Sequence, residues 1–289
     1  MLDGLTRHIE RIEQHLVTCL PATTPEPLKS AMHYAVTAGG KRLRPVLTLV
    51  TCEMLGGNSG QALNTAAAIE MVHTYSLIHD DLPAMDDDAL RRGKPTVHIA
   101  FDEATAILAG DALQSLAFQL IAEDTSLNAE TRVDLLALLA NAIGPTGMVA
   151  GQVLDMASEN TRIDADALAK IHQHKTGDLI ATAISAGACI AGANSDDRAA
   201  LTRFGYLLGL AFQIRDDLLD VIGTTEQLGK PQGSDVAQNK STYTSIYGVE
   251  GAERHLRKVR DEAIEALKPL NNRAGQLIDL THFVAERLS

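Results

Sequence analysis

Apolar residues recur along most of the chain at intervals of three and four, the spacing that lines up side chains on one face of an α-helix. The pattern predicts helices over 61–80, 104–122, 131–155, 164–192, 197–222 and 250–268. The breaks between these runs are short and polar, and Asp196 is a candidate cap for the helix that begins near Asp197. No repeat or shift in composition marks a boundary, so the sequence predicts one all-α domain over 1–289, a helical bundle.

The segment 223–242, GTTEQLGKPQGSDVAQNKST, departs from this pattern because it is long, polar and contains several glycines. A structureless stretch of that length inside a compact domain is more often a functional loop than an accident. We therefore expect it to act as a lid that closes over a bound ligand.

Composition narrows the classes of function. The formal net charge of −12 argues against a nucleic-acid or anionic-membrane partner. The scattered cysteines Cys19, Cys52 and Cys189 lack metal-site spacing and are typical of reduced thiols in a cytoplasmic protein. The N-terminal stretch has no continuous apolar core of the signal-peptide kind. We expect that no later run is long enough to span a membrane and that the protein has no stable membrane anchor.

A first acidic cluster, DDLPAMDDD, occupies residues 80–88 directly after an apolar helical run. Pro83 is poorly tolerated inside a helix, so the helix is expected to end or distort there. Carboxylates this close together repel one another unless they bind a cation or stay well solvated. Taken alone, the cluster fits a solvated acidic loop better than a metal site, and the spacing and glycine of a calcium-binding EF-hand are missing.

A second acidic cluster changes that balance. It reads FQIRDDLLD over 212–220, where Asp216 and Asp220 are four residues apart on one helical face, with Gln213 one turn earlier. Two like charges at this spacing destabilise a helix unless a cation bridges them. Mg²⁺ usually binds through one or two carboxylates plus substrate phosphates, so two such clusters predict magnesium ions with a phosphorylated ligand.

Basic residues gather near these clusters, in GGKRLRP, LRRGKP and HKTGDL and in the polar segment after Gly223. Each alone fits a solvated surface cation. Together, in an acidic chain, they are the kind of side chains that bind diphosphates, because arginine forks and lysine point charges both pair with phosphate oxygens.

These motifs resemble those of the trans-isoprenyl diphosphate synthases, most closely the bacterial-type farnesyl diphosphate synthases. GKRLRP, HTYSLIHDDLPAMDDDALRRGKPT, GQVLD, HKTG, FQIRDDLLD and a final GK…KSTY stand in order over nearly the whole chain. The resemblance implies an isoprenoid-synthase bundle, a single polyprenyl synthase domain over 1–289, with its cavity between the helices that carry the two aspartate-rich motifs. It also implies a homodimer.

The resemblance assigns roles to residues of this chain. Isopentenyl diphosphate would be held by Lys41, Arg44, His73 and Arg92. The allylic diphosphate would contact Arg91, Lys175, Thr176, Gln213, Lys230 and Lys240. Two Mg²⁺ ions would be ligated by Asp80 and Asp86, and a third by Asp216 together with Asp220. The groups expected to act in catalysis are Asp80, Asp86, Lys175, Asp216 and Lys230.

The implied reaction is the Mg²⁺-dependent head-to-tail condensation of isopentenyl diphosphate with dimethylallyl and then geranyl diphosphate, giving (2E,6E)-farnesyl diphosphate and pyrophosphate. Tyr75, five positions before Asp80, is expected to block the growing chain at fifteen carbons, although from spacing alone it fits a core residue. The alternatives are a geranylgeranyl diphosphate synthase and a non-catalytic partner subunit. A terpene cyclase has no need of the GKRLRP motif, and a purely structural bundle does not explain the ordered basic motifs.

Overall fold

The structure is a computed structural model, and it describes residues 2–159, 161–223 and 241–287. The first helices are α1 (Leu2–Thr18), α2 (Leu28–Val36), α3 (Leu43–Met54), α4 (Leu63–Asp80), α5 (Val97–Ala100), α6 (Glu103–Ala122) and α7 (Ala129–Ile143). The later helices are α8 (Met148–Ser158), α9 (Ala165–His172), α10 (Asp178–Ile190), α11 (Ser195–Ile222), α12 (Tyr243–Ala266) and α13 (Gly275–Glu286). A π-helical turn over Gln173–Gly177 joins α9 to α10, and a 3₁₀ turn over Lys268–Ala274 precedes α13.

The long helices pack around one continuous apolar core. α4 lies against α6, α10 lies between α3 and α11, and α11 lies against α12. Fully buried side chains such as Leu47, Ile69, Leu113 and Phe204 fill the centre. A smaller cluster, which includes Leu168, joins α9, α11 and α12. The all-α bundle predicted from the sequence is therefore confirmed.

Two predicted helices are interrupted. The run 131–155 is split into α7 and α8, because Pro145 lacks a backbone N–H and disfavours helical geometry in the residue before it. The run 164–192 contains the π-helical turn, whose wider hydrogen bonding the apolar spacing did not reveal.

Two local features differ from the sequence prediction or were absent from it. α11 begins at Ser195, and the side chain of Asn194 accepts a hydrogen bond from the backbone N–H of Asp197, so the prediction that Asp196 caps the helix was wrong. After the first acidic cluster, β1 (Leu90–Arg91) and β2 (Lys94–Pro95) form a short antiparallel hairpin. Its two turn residues have positive φ angles, as two-residue hairpin turns require.

Two stretches, Glu103–Ala122 and Ala129–Ser158, have the length and hydropathy of a membrane span, with 44% and 33% of the respective windows buried. The expectation that no run reaches that length was therefore wrong by this measure. α6 is a packed helix of the bundle, and the second stretch is broken between α7 and α8. Length and composition alone are thus weak grounds for a membrane segment here.

Candidate active site

The first acidic cluster lies at the carboxyl end of α4. Asp80 is the last residue of the helix, and the chain turns back so that the backbone N–H of Asp86 donates to the Asp80 carbonyl at 2.9 Å. The turn explains how two carboxylates six positions apart become neighbours. Burial raises the pKa of Asp80, and Asp86 raises it further, while Lys175 lowers it. Because a helix carries partial negative charge at its carboxyl end, this position disfavours carboxylates and attracts cations.

Asp81, the next residue, is paired with the hairpin. It is 3% exposed and accepts a hydrogen bond from Arg91 Nε at 2.6 Å. Arg91 also contacts Asp88 at 3.2 Å. Burial raises the pKa of Asp81 to about 6, although the contact with Arg91 opposes that shift. The pair therefore fixes the hairpin onto the end of α4.

The GGKRLRP loop places further cations near α4. Gly40 has a φ angle of +127°, and a Cβ atom there would lie 2.5 Å from the guanidinium carbon of Arg92, which donates to the carbonyl of Gly39. Arg42 adopts a left-handed conformation and is buried, with its guanidinium 2.7 Å from the buried carboxylate of Glu70. This ion pair anchors the loop to α4 at Arg42, and Lys41 and Arg44 lie on either side of that anchor in the chain.

Lys41, Arg44, His73 and Arg92 lie close enough to shift one another's pKa values. Loss of surrounding water, together with Arg287 and Arg92, lowers the pKa of Lys41 to about 8 against the opposing effect of Asp216, although part of the side chain stays exposed. Burial lowers the pKa of Arg44 to about 10, and its Nε has no hydrogen-bond partner. Burial and the nearby arginines, Arg44 first, hold the pKa of His73 well below its usual value, so the imidazole is neutral. A buried guanidinium with a free donor in a crowded cationic group is a site for an anion.

The π-helical turn is held on two sides by glycines. A Cβ atom at Gly151 of α8 would lie 2.2 Å from the backbone nitrogen of Lys175, and one at Gly209 of α11 would lie 2.8 Å from the Cα of Gly177. Only glycine allows both helices to approach this closely. A functional side chain follows each glycine by four residues, on the same helical face.

The first of these side chains is Asp155, which accepts a hydrogen bond from Lys175 Nζ at 2.6 Å. Asp80 lies 3.8 Å from the same nitrogen. Burial opposes the charge of Lys175, but Asp80 and Asp155 outweigh it and raise the pKa of the ammonium group. Lys175 is therefore a fixed cation beside the first acidic cluster.

The second is Gln213, whose side-chain oxygen accepts a hydrogen bond from Thr176 Oγ1 at 3.2 Å. Its amide donates to Asp217 Oδ1 at 3.2 Å, and Asp217 Oδ2 accepts from the backbone N–H of Tyr243 at 2.7 Å. Asp217 is only 2% exposed. This chain of hydrogen bonds ties the π-helical turn to α11 and to the first residue of α12.

The second acidic cluster lies toward the carboxyl end of α11. The Asp216 side chain is 41% exposed, whereas Asp220 is buried and 3% exposed. Asp216 Oδ1 lies 2.5 Å from Nη2 of Arg287, which follows α13. Arg44 and Lys41 are also near enough to Asp216 for their pKa values to respond to it. Both acidic clusters thus lie near carboxyl ends of helices, and each lies beside its own group of cations.

Residues 25–279 match the polyprenyl synthetase family. The chain belongs to this family. It is 49% identical over 267 residues to the farnesyl diphosphate synthase of Geobacillus stearothermophilus, covering 88% of this chain and 86% of that protein. It is 43% identical over 289 residues to the geranylgeranyl diphosphate synthase of Cyanophora paradoxa, and this match covers 99% of this chain and 96% of that protein.

A solved structure agrees with this assignment. The geranyltransferase of Helicobacter pylori, complexed with magnesium and isoprenyl diphosphate, superposes on the synthetase with a TM-score of 0.87 and is 34% identical. The match covers 97% of this chain and 94% of that one. The likeness therefore extends over the whole bundle.

The structure brings most of the predicted site residues together in two groups. One contains Asp80, Asp86, Arg91 and Lys175, with Thr176 and Gln213 beside it. The other contains Lys41, Arg44, His73, Arg92 and Asp216. Lys230 and Lys240 lie outside the described residues, as do positions 224–240 of the lid predicted over 223–242.

Three further residues shape the site and were not predicted from the sequence: Glu70, Asp155 and Arg287. Asp155 stands in the GQVLD motif, four residues after Gly151, so its spacing offered a signal. Glu70 is three residues before His73 on the same helix and resembled any buried helical carboxylate. Nothing in the local sequence linked Arg287 to Asp216, because the two are 71 residues apart.

Over residues 2–159, 161–223 and 241–287 there is no group of three or more His, Cys, Asp or Glu side chains placed to hold a metal ion. The donor set nevertheless fits Mg²⁺, which keeps several waters and needs only one or two carboxylates plus phosphates. Asp216 is half-exposed, and Asp80 is 16% exposed beside Lys175. Asp80 and Asp216 would therefore each supply part of a coordination shell for Mg²⁺, and the oxygens of a diphosphate would complete it. We call each of these two partial sites a half-site.

Tyr75 lies on the face of α4 that contacts α6, below Asp80. It is 6% exposed, and its ring meets His79 edge-on at 5.8 Å between centroids. The hydroxyl approaches Gln114 of α6 without reaching hydrogen-bond geometry, and burial raises its pKa. His79 occupies the space that a Cβ atom at Gly110 would need. The phenol is therefore a packed, rigid wall between the two helices.

Asp81→Asn is expected to change how stability depends on pH. The pKa of Asp81 is about 6 in the fold against 3.8 ordinarily, so the native chain binds the extra proton between those values. The stability that Asp81 contributes is present below this window and is lost as the pH rises through it. Relative to the wild type, the free energy of unfolding of the variant should therefore rise by about 2 kcal/mol between about pH 4 and about pH 7, as measured by urea unfolding.

The matched control for that experiment is Asp88→Asn, because Asp88 also contacts Arg91 but its side chain is 41% exposed. We expect its stability to follow the wild type across the same pH range. Parallel profiles for Asp81→Asn and the wild type would show that folding does not raise the pKa of Asp81.

Proposed function

We propose that this polyprenyl synthetase condenses isopentenyl diphosphate with dimethylallyl diphosphate and then with geranyl diphosphate, releasing pyrophosphate and accumulating farnesyl diphosphate. The observation that carries the proposal is the pairing of each aspartate-rich motif with its own group of cations. Such a cleft suits two diphosphates at once, and the farnesyl diphosphate synthase relatives match over most of the chain. We assign the whole chain, 1–289, to a single polyprenyl synthase domain.

Lys41, Arg44, Arg92 and His73 would hold the diphosphate of isopentenyl diphosphate. Two arginine forks and a lysine supply charge-assisted donors, and the free Nε of Arg44 is already buried there. His73 is neutral and adds a hydrogen-bonding group without further charge. Holding this diphosphate fixes the double bond beside the allylic carbon, which replaces an encounter in solution by an oriented one.

Arg91, Lys175, Thr176 and Gln213 would contact the allylic diphosphate. Mg²⁺ ions, three in number on the family pattern, would be held by Asp80, Asp86, Asp216 and Asp220 and would neutralise the charge that develops on departing pyrophosphate. Lys175 adds a fixed positive charge at the same place, kept ionised by Asp80 and Asp155.

The rest of the reaction needs a dry, shaped cavity. When the allylic C–O bond breaks, the carbocation would react with water, so the apolar helices must exclude it. The double bond of isopentenyl diphosphate forms the new C–C bond, and a proton is then lost. No side chain in the site is an obvious general base, and we assign the proton to the departing pyrophosphate.

A product assay tests this function directly. The protein is incubated with labelled isopentenyl diphosphate, dimethylallyl diphosphate and Mg²⁺, and the length of the product is measured. Asp80→Asn and Asp216→Asn should each lower kcat by roughly 10²-fold or more, the scale expected when groups that stabilise transition-state charge are lost. Asp87→Asn is the control, because Asp87 is exposed and asparagine tolerates its φ angle of 52°.

Near wild-type turnover in either Asp80→Asn or Asp216→Asn would overturn the metal assignment. A twenty-carbon product from the wild type would instead favour a geranylgeranyl diphosphate synthase, for which the Cyanophora relative stands as a precedent. No turnover in the wild type would point to a non-catalytic partner subunit.

Tyr75 would set the product length by blocking the tail of the growing chain. Tyr75→Ala removes the phenol that lies between α4 and α6 and should move the main product from fifteen to twenty carbons or more. Tyr75→Phe keeps the ring and should leave product length unchanged, since the hydroxyl has no hydrogen-bond partner. Chromatography of labelled products measures both, and a fifteen-carbon product from Tyr75→Ala would place the floor elsewhere.

We also propose that the synthetase is a homodimer joined through α6, α7 and α8. These helices pack in sequence, and each leaves large apolar side chains exposed, such as Leu108 at 56%, Val133 at 63% and Val153 at 61%. Exposed apolar area of this kind marks an interaction surface. Light scattering should give twice the chain mass of 30.9 kDa. Val133→Glu should reduce that value toward one chain, and a wild-type monomer would contradict the proposal.

The cellular compartment that best fits is the cytoplasm. Cys19, Cys52 and Cys189 are free thiols, half-buried or buried, as is usual where disulfides are kept reduced.

A further inference from the structure

Arg287 closes the second acidic cluster from outside α11. Its side chain is 2% exposed, and its guanidinium lies 4.1 Å above the ring of Phe212. It donates to the Phe212 carbonyl at 3.3 Å and to Asp216 Oδ1 at 2.5 Å. The backbone is fixed as well, because Arg215 Nε donates to the Arg287 carbonyl at 2.8 Å. The Phe212 ring, the Phe212 carbonyl and Arg215 therefore hold Arg287 in place against Asp216.

The first acidic cluster is arranged differently. Arg91 pairs with Asp81 and Asp88 of this cluster, whereas Asp80 has Lys175 at 3.8 Å, and Lys175 makes its short hydrogen bond, at 2.6 Å, to Asp155 instead. Asp155 thus holds the lysine beside Asp80 without a short bond between the two. Asp216, in contrast, carries its cation directly on a carboxylate oxygen. The two half-sites therefore differ in whether a cation already occupies the carboxylate oxygen that a metal ion would bind.

We propose that Arg287 is the resident counter-ion of Asp216 and that Mg²⁺ must displace it. The inference rests on the proposed role of Asp216 as a metal ligand. A guanidinium and Mg²⁺ on the same carboxylate repel each other because both are cations, so Mg²⁺ binds Asp216 more weakly while Arg287 stays on Oδ1. Arg287 therefore competes with the metal and makes the half-site at Asp216 weaker than the one at Asp80. Magnesium fills the site at Asp80 first and the site at Asp216 last.

Arg287→Gln tests the competition, with Arg287→Lys as the conservative variant. Mg²⁺ is titrated at a fixed concentration of inorganic pyrophosphate, and the half-saturating concentration is read from the rise in Tm. Removing the competing charge should lower that concentration by up to about fivefold, the scale of a partly exposed ion pair. Lysine keeps the charge without the planar fork, so Arg287→Lys should lie between the glutamine variant and the wild type.

Arg273→Gln is the matched control. Arg273 contacts both oxygens of Asp197 at 3.0 Å, and Asp197 lies at the opposite end of α11 from Asp216. Losing this pair should lower Tm without moving the half-saturating Mg²⁺ concentration. A purely structural role for Arg287 would give the same result as the control.

Asp216→Asn separates the two levels of the argument. If it weakens the Mg²⁺ response while Arg287→Gln titrates like the wild type, the counter-ion inference is wrong and the metal site stands. If Asp216→Asn has the same half-saturating Mg²⁺ concentration as the wild type, Asp216 is not a metal ligand, and both the metal assignment and the counter-ion inference are wrong. A lower half-saturating concentration in Arg287→Gln, with a weaker response in Asp216→Asn, supports the displacement.

Discussion

The charge that this bundle places in one cleft must be balanced while the cleft is empty, and that constraint shapes the site. Carboxylates at the ends of α4 and α11 repel one another, and the arginines of the GGKRLRP loop and the hairpin do the same. An unpaired charge in this environment is costly, and four of these charges are met by an opposite one. The ion pairs are Glu70 with Arg42, Arg91 with Asp81, Asp155 with Lys175 and Arg287 with Asp216.

Of these four partners, only Arg91 is expected to touch substrate. Glu70, Asp155 and Arg287 instead hold charged groups of the site, among them Lys175 and Asp216, which are expected to act in the reaction. Their function is to keep the reactive groups charged and in place before a ligand arrives. The glycines that hold the π-helical turn do the same work sterically, because they set the distance from α8 and α11 to Lys175. Preorganisation of this kind means that binding needs little rearrangement of the scaffold.

The sequence predicts the structure well where a feature depends on a local pattern, and poorly where it depends on contacts between residues far apart in the chain. Three- and four-residue spacing predicted α4, α6 and α11 within a few residues, and ordered motifs predicted the family. The breaks at Pro145 and at the π-helical turn were missed, because the apolar spacing continues across both. The pairs Arg42–Glu70 and Asp216–Arg287 could not be predicted, because they depend on how helices far apart in sequence come together.

A crystal structure with Mg²⁺ and an unreactive thiolo analogue of geranyl diphosphate tests the central claim most directly, since it locates the ions and the diphosphate together. The arrangement described here predicts Mg²⁺ between the diphosphate and the carboxylates of Asp80 and Asp216, with Lys175 and Arg91 on the diphosphate and the pocket of Lys41, Arg44 and Arg92 left for the second substrate. A diphosphate bound in that second pocket, with metal ions away from both aspartate-rich motifs, would contradict it.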